Sequence, residues 1–289
     1  DYLDNMEWIF VNDGSKDDTI GELKKIHEKS PYDVKIISFS RNFGKEAALL
    51  AGLKESKGEY VSIIDADMQQ NPKYVKEMVE FLDANPNYDS VAMVQEERKE
   101  SKILVFFKNC FYRLINKLTE VELKASASDF RTLRRSVVES IIGLPERCRF
   151  SKGIFAWVGY NTYFAPYEVN ERANGVSTWS FWKLFVYAID GITAFSTTPL
   201  VISSVLGMVI CLLAFIMILV VIVKTLIWGD PVAGFPTLAS LILFALGTQL
   251  IFLGVLGQYL SKVYTEVKGR PVYIIKEKLG GKEEHDKQD

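Results

Sequence analysis

The sequence predicts an α/β domain built on a parallel, Rossmann-like sheet and joined to a pair of membrane-spanning helices. Three observations carry this expectation. Residues 1–170 alternate short apolar runs with helical stretches, the pattern of repeated strand–helix units. Polar clusters fall where three successive strands end, at Asn12–Ser15, Arg41–Lys45 and Asp65–Gln69. Two later runs, Gly191–Val223 and Pro231–Ser261, contain no charged residue.

Taken in order, Met6–Val11 reads as a strand, its Trp8, Ile9, Phe10 and Val11 suited to a buried sheet. It breaks at Asn12-Asp13-Gly14-Ser15, where Ser15 and Asp18 have the spacing of a capping box for a helix running to about Lys29. Val34–Ser40 is the next strand, and Arg41-Asn42-Phe43-Gly44-Lys45 leads into a helix over Glu46–Ser56. A third strand ends at Asp65, a helix follows over Pro72–Ala84, and Ser90–Val94 is a fourth strand. In open sheets of this order, ligands gather at the carboxyl ends of the strands.

Asp65 and Asp67 flank a single Ala. Side chains two apart on extended backbone point the same way, so both carboxylates can face one ion, and hard oxygen ligands suit Mg²⁺ or Mn²⁺. The same triplet also fits a solvated turn. Asp13 suits either a hydrogen bond from a base N–H or an ordinary turn before Gly14. Arg41 and Lys45 suit either phosphate contact or solvent; a cation at a helix start opposes the dipole, which a bound anion would offset. Further on, Asp129 stands beside Arg131, Arg134 and Arg135. It fits a group that orients or deprotonates an attacking oxygen, with Arg131 holding an anion. It fits equally an N-cap of a helix over Arg134–Ile142. Ile103–Leu118 reads as an amphipathic helix. Lys152–Tyr160 is aromatic and glycine-rich, as suits a buried turn or a lipid-facing groove, and Trp179–Gly191 has the spacing of a helix that lies in a membrane interface or packs on the catalytic domain.

Composition removes other classes. A net charge of −2 gives no basic field for nucleic acid. The three cysteines, Cys110, Cys148 and Cys211, are far apart and odd in number, so no disulfide framework is expected. No Walker-type or Gly-x-Gly-x-x-Gly loop occurs, which argues against P-loop or dinucleotide chemistry. Each charge-free run exceeds the roughly 20 residues that cross a bilayer as a helix. The basic residues Arg172 and Lys183 precede the first, and Lys262, Lys268, Arg270, Lys276 and Lys278 follow the second, so both ends are expected in the cytoplasm.

Six segments in order carry a resemblance: Val11–Ser15, Arg41–Lys45, Asp65–Gln69, Asp129–Arg131, Lys152-Gly153 with Trp157–Gly159, and Arg172–Ser177. With the helix pair behind them, the chain resembles the family-2 polyprenyl-phosphate glycosyltransferases, bactoprenol glucosyltransferases among them, with dolichyl-phosphate mannose synthase more distant. The resemblance implies a GT-A fold and inverting transfer of a sugar to a polyprenyl phosphate such as undecaprenyl phosphate. The donor would be a nucleotide-sugar, a UDP-hexose such as UDP-glucose or UDP-GlcNAc. It implies Mg²⁺ or Mn²⁺ at Asp65, Asp67 and Gln69, and nucleotide at Asn12, Asp13, Arg41 and Lys45. Asp129 is the implied base, with acceptor phosphate at Arg131, Lys152, Arg172 and Ser177. A homotetramer is implied, and membrane lipids are implied partners. Two departures stand out: the family's first strand has no match from Asp1 onward, and Gly175-Val-Ser177-Thr178 replaces a common Gly-x-Ser-Lys.

The expected organisation is a cytoplasmic catalytic domain over residues 1–170, an interfacial segment over 171–196, a hairpin over 197–262 (spans at about 197–224 and 235–262), and a cytoplasmic tail over 263–289, in a plasma-membrane protein of the cell envelope. A processive polysaccharide synthase would share the Asp-x-Asp core, but two spans are few for a channel and no Gln-x-x-Arg-Trp motif is present. A non-catalytic membrane scaffold would explain the hairpin but not the polar strand ends.

Overall fold

A computed structural model describes residues 6–95, 116, 124, 127–168, 191–228 and 234–280. The elements follow the expected alternation at first: β1 (Glu7–Asn12), α1 (Thr19–Lys29), β2 (Asp33–Phe39), α2 (Lys45–Glu55), β3 (Tyr60–Ile63), α3 (Lys73–Ala84) and β4 (Ser90–Gln95). They continue as β5 (Ala127–Arg134), α4 (Arg135–Ile142), α5 (Ser151–Trp157) and β6 (Thr162–Tyr167), then two long helices, α6 (Thr198–Trp228) and α7 (Phe235–Lys268), and finally β7 (Ile275–Leu279). The expected helix over Ile103–Leu118 and the interfacial helix over Trp179–Gly191 lie almost wholly outside the described residues.

The sheet departs from the expected all-parallel one. Strands β1 and β2 are parallel, and β7 is added antiparallel to the outer edge of β2. A second sheet runs in the order β3-β5-β4-β6, with β5 antiparallel to both β3 and β4. Strands β1 and β3 are not hydrogen-bonded to each other. Instead α2 spans beneath both sheets. Its Ala47 and Ala51 pack with Ile9, Val11, Ile37 and Phe39 under the first, and its Leu53 packs with Ile63, Leu133 and Val138 under the second. The small alanines let the helix approach β1 closely. At the opposite end of these strands, the Glu7 carboxylate accepts from the backbone N–H groups of Lys57 and Gly58 just ahead of β3.

Two local expectations are corrected. The capping box at Ser15 and Asp18 does not form; Asp18 is the N-cap residue of α1 without a side-chain bond, and Asp17 takes the N–H and hydroxyl of Thr19. Asp129 caps no helix: it is the third residue of β5, and Arg134 precedes α4 in extended conformation. Arg134 donates to the Leu82 carbonyl in the last turn of α3, and Arg135 to the carbonyls of Ser56 and Gly58 just beyond α2. The C-terminal carbonyls of a helix attract such cations, which removes both arginines from the strand-end cluster.

Helices α6 and α7 hold stretches, Thr198–Lys224 and Leu241–Lys268, long and apolar enough to cross a membrane, with most of their described side chains exposed. The Tyr259 hydroxyl donates to the Ser196 carbonyl at 2.6 Å, tying the start of α6 to the latter part of α7 as an antiparallel pair. Phe195 at that entrance lies against α5, where a Cβ built on Gly153 falls 2.3 Å from its ring. Gly153→Ala is therefore expected to force α5 and Phe195 apart, at about 1–3 kcal/mol, read as a lower thermal midpoint in detergent. An unchanged midpoint would mean that this contact yields freely.

Candidate active site

The site is assembled by the register of β5. Because β5 runs antiparallel to β3 with Ile63 opposite Arg131, the chain leaving β3 and the start of β5 lie at the same end of the sheet. Residues far apart in sequence thus bring their carboxylates to one strand end. Lys45, the first residue of α2, closes the gap: its Nζ lies 2.9 Å from Asp65 Oδ2 and 2.7 Å from Asp129 Oδ2. The two acids offset the unfavourable position of a cation at a helix N-terminus. Burial pulls the Lys45 ammonium down, but Asp129 and Asp65 outweigh it and its pKa is raised.

Asp129 is the most enclosed acid of the group. Burial pushes its carboxyl up, yet Lys45, Lys152 and Arg131 more than offset that, and its pKa lies below the ordinary value. Its Oδ1 is buried without a hydrogen-bond partner. Arg131 lies behind it, 5 % exposed, with its guanidinium 3.7 Å from the centre of the Phe155 ring and Nη2 donating to the Ser128 carbonyl. Desolvation lowers the Arg131 pKa to about 10, against the opposing pull of Asp129. This is a support beneath Asp129, enclosed rather than open to solvent.

The Asp-x-Asp loop differs from the extended backbone expected. Beyond Ile63 the chain turns, with Met68 at φ 60° and largely exposed. Asp67 is exposed, its Oδ1 accepting the Gln69 N–H at 3.1 Å. Besides Lys45, Gln70 reaches Asp65, its Oε1 accepting the Asp65 N–H at 2.8 Å. Among the described residues no three His, Cys, Asp or Glu side chains gather as a metal cage. The donor set is still the right kind for a hard cation: two carboxylates and an amide oxygen, few enough to leave coordination positions to phosphate and water, as Mg²⁺ and Mn²⁺ prefer.

The first two loops lock onto each other. Both oxygens of Asp13 accept backbone N–H groups, Phe43 at 2.7 Å and Gly44 at 2.9 Å. A carboxylate has lone pairs to spare, so this does not close it to a ligand. Gly14, at φ +66°, lies so close that an added Cβ would fall 2.4 Å from the Arg41 carbonyl carbon, which accounts for glycine there. Asn12 is buried, and both ends of its amide are used within the protein, on Ser38 Oγ and the Ser15 N–H. Arg41 is exposed, with its guanidinium over the Phe43 ring at 4.3 Å. Lys152 sits in α5 and contributes positive charge to Asp129. Arg172 and Ser177 lie outside the described residues.

Glu46 is a participant the sequence did not flag. Next to Lys45, it accepts the Ser151 N–H at 2.8 Å and the Ser151 hydroxyl, fastening the start of α5 to the start of α2. Burial raises its pKa despite the Ser151 bonds, with Asp129 adding to the rise. The only sequence signal was a Glu in the first turn of a helix, too common to single out.

The chain, an α/β domain with acids and cations converging at its strand ends and joined to a pair of apolar helices, is a glycosyltransferase of the GT-A class. The chain belongs, in particular, to glycosyl transferase family 2, whose domain matches residues 2–142. It is 42% identical over 275 residues to an uncharacterized glycosyltransferase of Synechocystis, covering 95% of this chain and 86% of that protein. It is 40% identical over 277 residues to the SfII prophage-derived bactoprenol glucosyl transferase of Shigella flexneri, covering 96% of this chain and 89% of that one. A prophage bactoprenol glucosyl transferase homolog of Escherichia coli is likewise 40% identical over 272 residues, 94% of this chain and 88% of that one.

Proposed function

We propose that this glycosyltransferase moves a sugar from a nucleotide-sugar, a UDP-hexose with UDP-glucose as the first choice, to a polyprenyl phosphate at the cytoplasmic face of the membrane. The observation that carries the reading is the Asp65–Lys45–Asp129 cluster, built at strand ends in a domain fastened to two apolar helices. Relatives bearing the bactoprenol glucosyl transferase name, at 40% identity over nearly the whole chain, support the lipid acceptor.

The chemistry asks little of a base. A phosphate monoester's second pKa is about 6, so the acceptor oxygen is already anionic at neutral pH. That oxygen attacks the anomeric carbon, the bond from that carbon to the donor diphosphate breaks, UDP departs and the configuration inverts. Asp129 then mainly positions the acceptor. Lys152 and Arg172 meet its phosphate, Ser177 adds a hydroxyl, and Arg131 keeps Asp129 in place from behind. Asp13, Arg41 and Asn12 serve the nucleotide end, and Lys45 turns from the two acids to the donor diphosphate. Asp65, Asp67 and Gln69 would hold Mg²⁺ or Mn²⁺, which when bound supplies Lewis-acid stabilisation of the leaving diphosphate. Both helix ends that meet the catalytic domain are assigned to the cytoplasm, and the assembly to a tetramer.

The test is UDP release from UDP-glucose with and without added polyprenyl phosphate, followed by mass spectrometry of the lipid across a panel of UDP-sugars. Release that depends on the lipid, with a hexose added to it, is expected; no lipid-dependent release with any donor would refute the reading. A second expectation concerns pH. Since Lys45 is the largest influence holding the Asp129 carboxyl down, Lys45→Gln raises its pKa. The acceptor phosphate, with a second pKa of about 6, dominates the acid limb of kcat/KM, so the rise is read directly as a shift of the Asp129 carboxyl to higher pH in a carbon-13 NMR titration. An unmoved titration would detach Lys45 from Asp129.

A further inference from the structure

Glu266 is in the last turn of α7, where a carboxylate is opposed by the helix dipole. It is not left to solvent there. Its Oε1 accepts the backbone N–H of Arg147 at 2.9 Å and of Cys148 at 2.8 Å, and Oε2 lies 4.0 Å from the Arg147 guanidinium. Arg147 returns the contact, donating through Nε to the Arg270 carbonyl at 3.0 Å and through Nη2 to the Gly269 carbonyl at 3.3 Å. The loop so gripped leads directly into α5, whose Ser151 is fastened to Glu46 beside Lys45 and whose Lys152 faces Asp129 electrostatically. On the far side of Gly269 the chain runs through Tyr273, stacked on Phe39 at 4.9 Å, into β7 on the edge of β2. The end of the second apolar helix is thus held by the catalytic domain from two directions.

We infer that Glu266 is a positioning residue: its clasp on Arg147 and Cys148 fixes the height and tilt of the active-site acids relative to the membrane end of α7, so that a membrane-borne phosphate meets them in line. The inference rests on the lipid acceptor proposed above. Donor binding needs only the domain itself, whereas transfer needs the domain at one distance from the bilayer. Loss of the clasp therefore acts on the lipid acceptor and spares the nucleotide-sugar.

The full chain is reconstituted in nanodiscs of anionic lipid, with a fluorescent amino acid at exposed Lys54 and an acceptor dye on the lipid headgroups. In wild type a single narrow energy-transfer distance is expected, and in Glu266→Ala a longer or broadened one. The kcat/KM for membrane-embedded polyprenyl phosphate should fall about 10²-fold in Glu266→Ala, the scale of a small misplacement of reacting groups, with the KM for the sugar nucleotide unchanged. Glu266→Gln should restore most of the loss, because an amide oxygen at Oε1 still takes both N–H groups. Arg147→Ala, which keeps those two bonds, serves as the second variant and should give an intermediate distance. Unchanged distances in both truncations overturn the clasp. A changed distance with donor and acceptor parameters falling together overturns the positioning role. If wild type transfers nothing to lipid, the proposed reaction fails, and the distances still decide the clasp.

Discussion

Asp129→Asn is expected to lower transfer to polyprenyl phosphate by roughly 10²–10⁴-fold, the range for a positioned proton-transfer or orienting group, while nucleotide binding persists. The reason is electrostatic as much as chemical. Asp129 is the anion on which Lys45, Lys152 and the buried Arg131 converge. An amide in its place keeps the shape, removes the charge, and leaves Arg131 desolvated beside no counter-ion. A stability loss of about 1–3 kcal/mol is expected from that. The sign of its pH dependence follows from the direction of the shift. The folded carboxyl's pKa is lowered, so its contribution is fully present above the unfolded value, about 3.9, and is lost as pH falls through the folded value. The gap in chemical-denaturation stability between wild type and variant should stay level through neutral pH and close only under strong acid. An unchanged transfer rate would take Asp129 out of the mechanism; a gap already closing near neutral pH would contradict the charge assignment.

Asp67→Ala is expected to abolish metal-dependent turnover while hardly touching the fold. Asp67 is exposed, and its one described bond is to the Gln69 N–H within the same turn. Surface changes of this kind usually stay within about 0.5 kcal/mol, with loss of the turn bond adding a little. A divalent cation contributes several kcal/mol to a developing negative charge, and each 1.4 kcal/mol or so is a factor of ten in rate. A drop of about 10³-fold or more follows, with Mn²⁺ binding lost in an electron-spin-resonance titration of the protein with UDP. Retained Mn²⁺ affinity in a well-folded variant would move the metal away from this loop.

Several features of the site were open to sequence reading because their signals are local. Turn residues at three strand ends, the apolar runs before them, and two charge-free stretches each report on a few neighbouring residues. Such signals single out Asp13, Lys45, Asp65 and Asp129. Local signals also left questions open. Gln69 and Gln70 are indistinguishable by composition, and only the turn at Met68 decides that Gln70 meets the Asp65 backbone. The arginines after Asp129 looked like one basic patch, yet Arg134 and Arg135 cap helix ends on other elements while Arg131 alone backs the acid.

What the amino-acid sequence determined by itself was the succession of elements, the identity of the acids and cations at strand ends, and two helices apolar enough for a bilayer. Hydrophobic period and turn chemistry act over a few residues and need no partner. Tertiary structure alone decided that β5 runs antiparallel and brings Asp129 to the strand end of Asp65, that Lys45 bridges them, and that residues expected as a tail return as β7. It also decided that Glu266 grips the loop ahead of α5. Strand register and ion pairing are contests among distant segments, settled by which arrangement buries the apolar faces and leaves each enclosed charge accompanied.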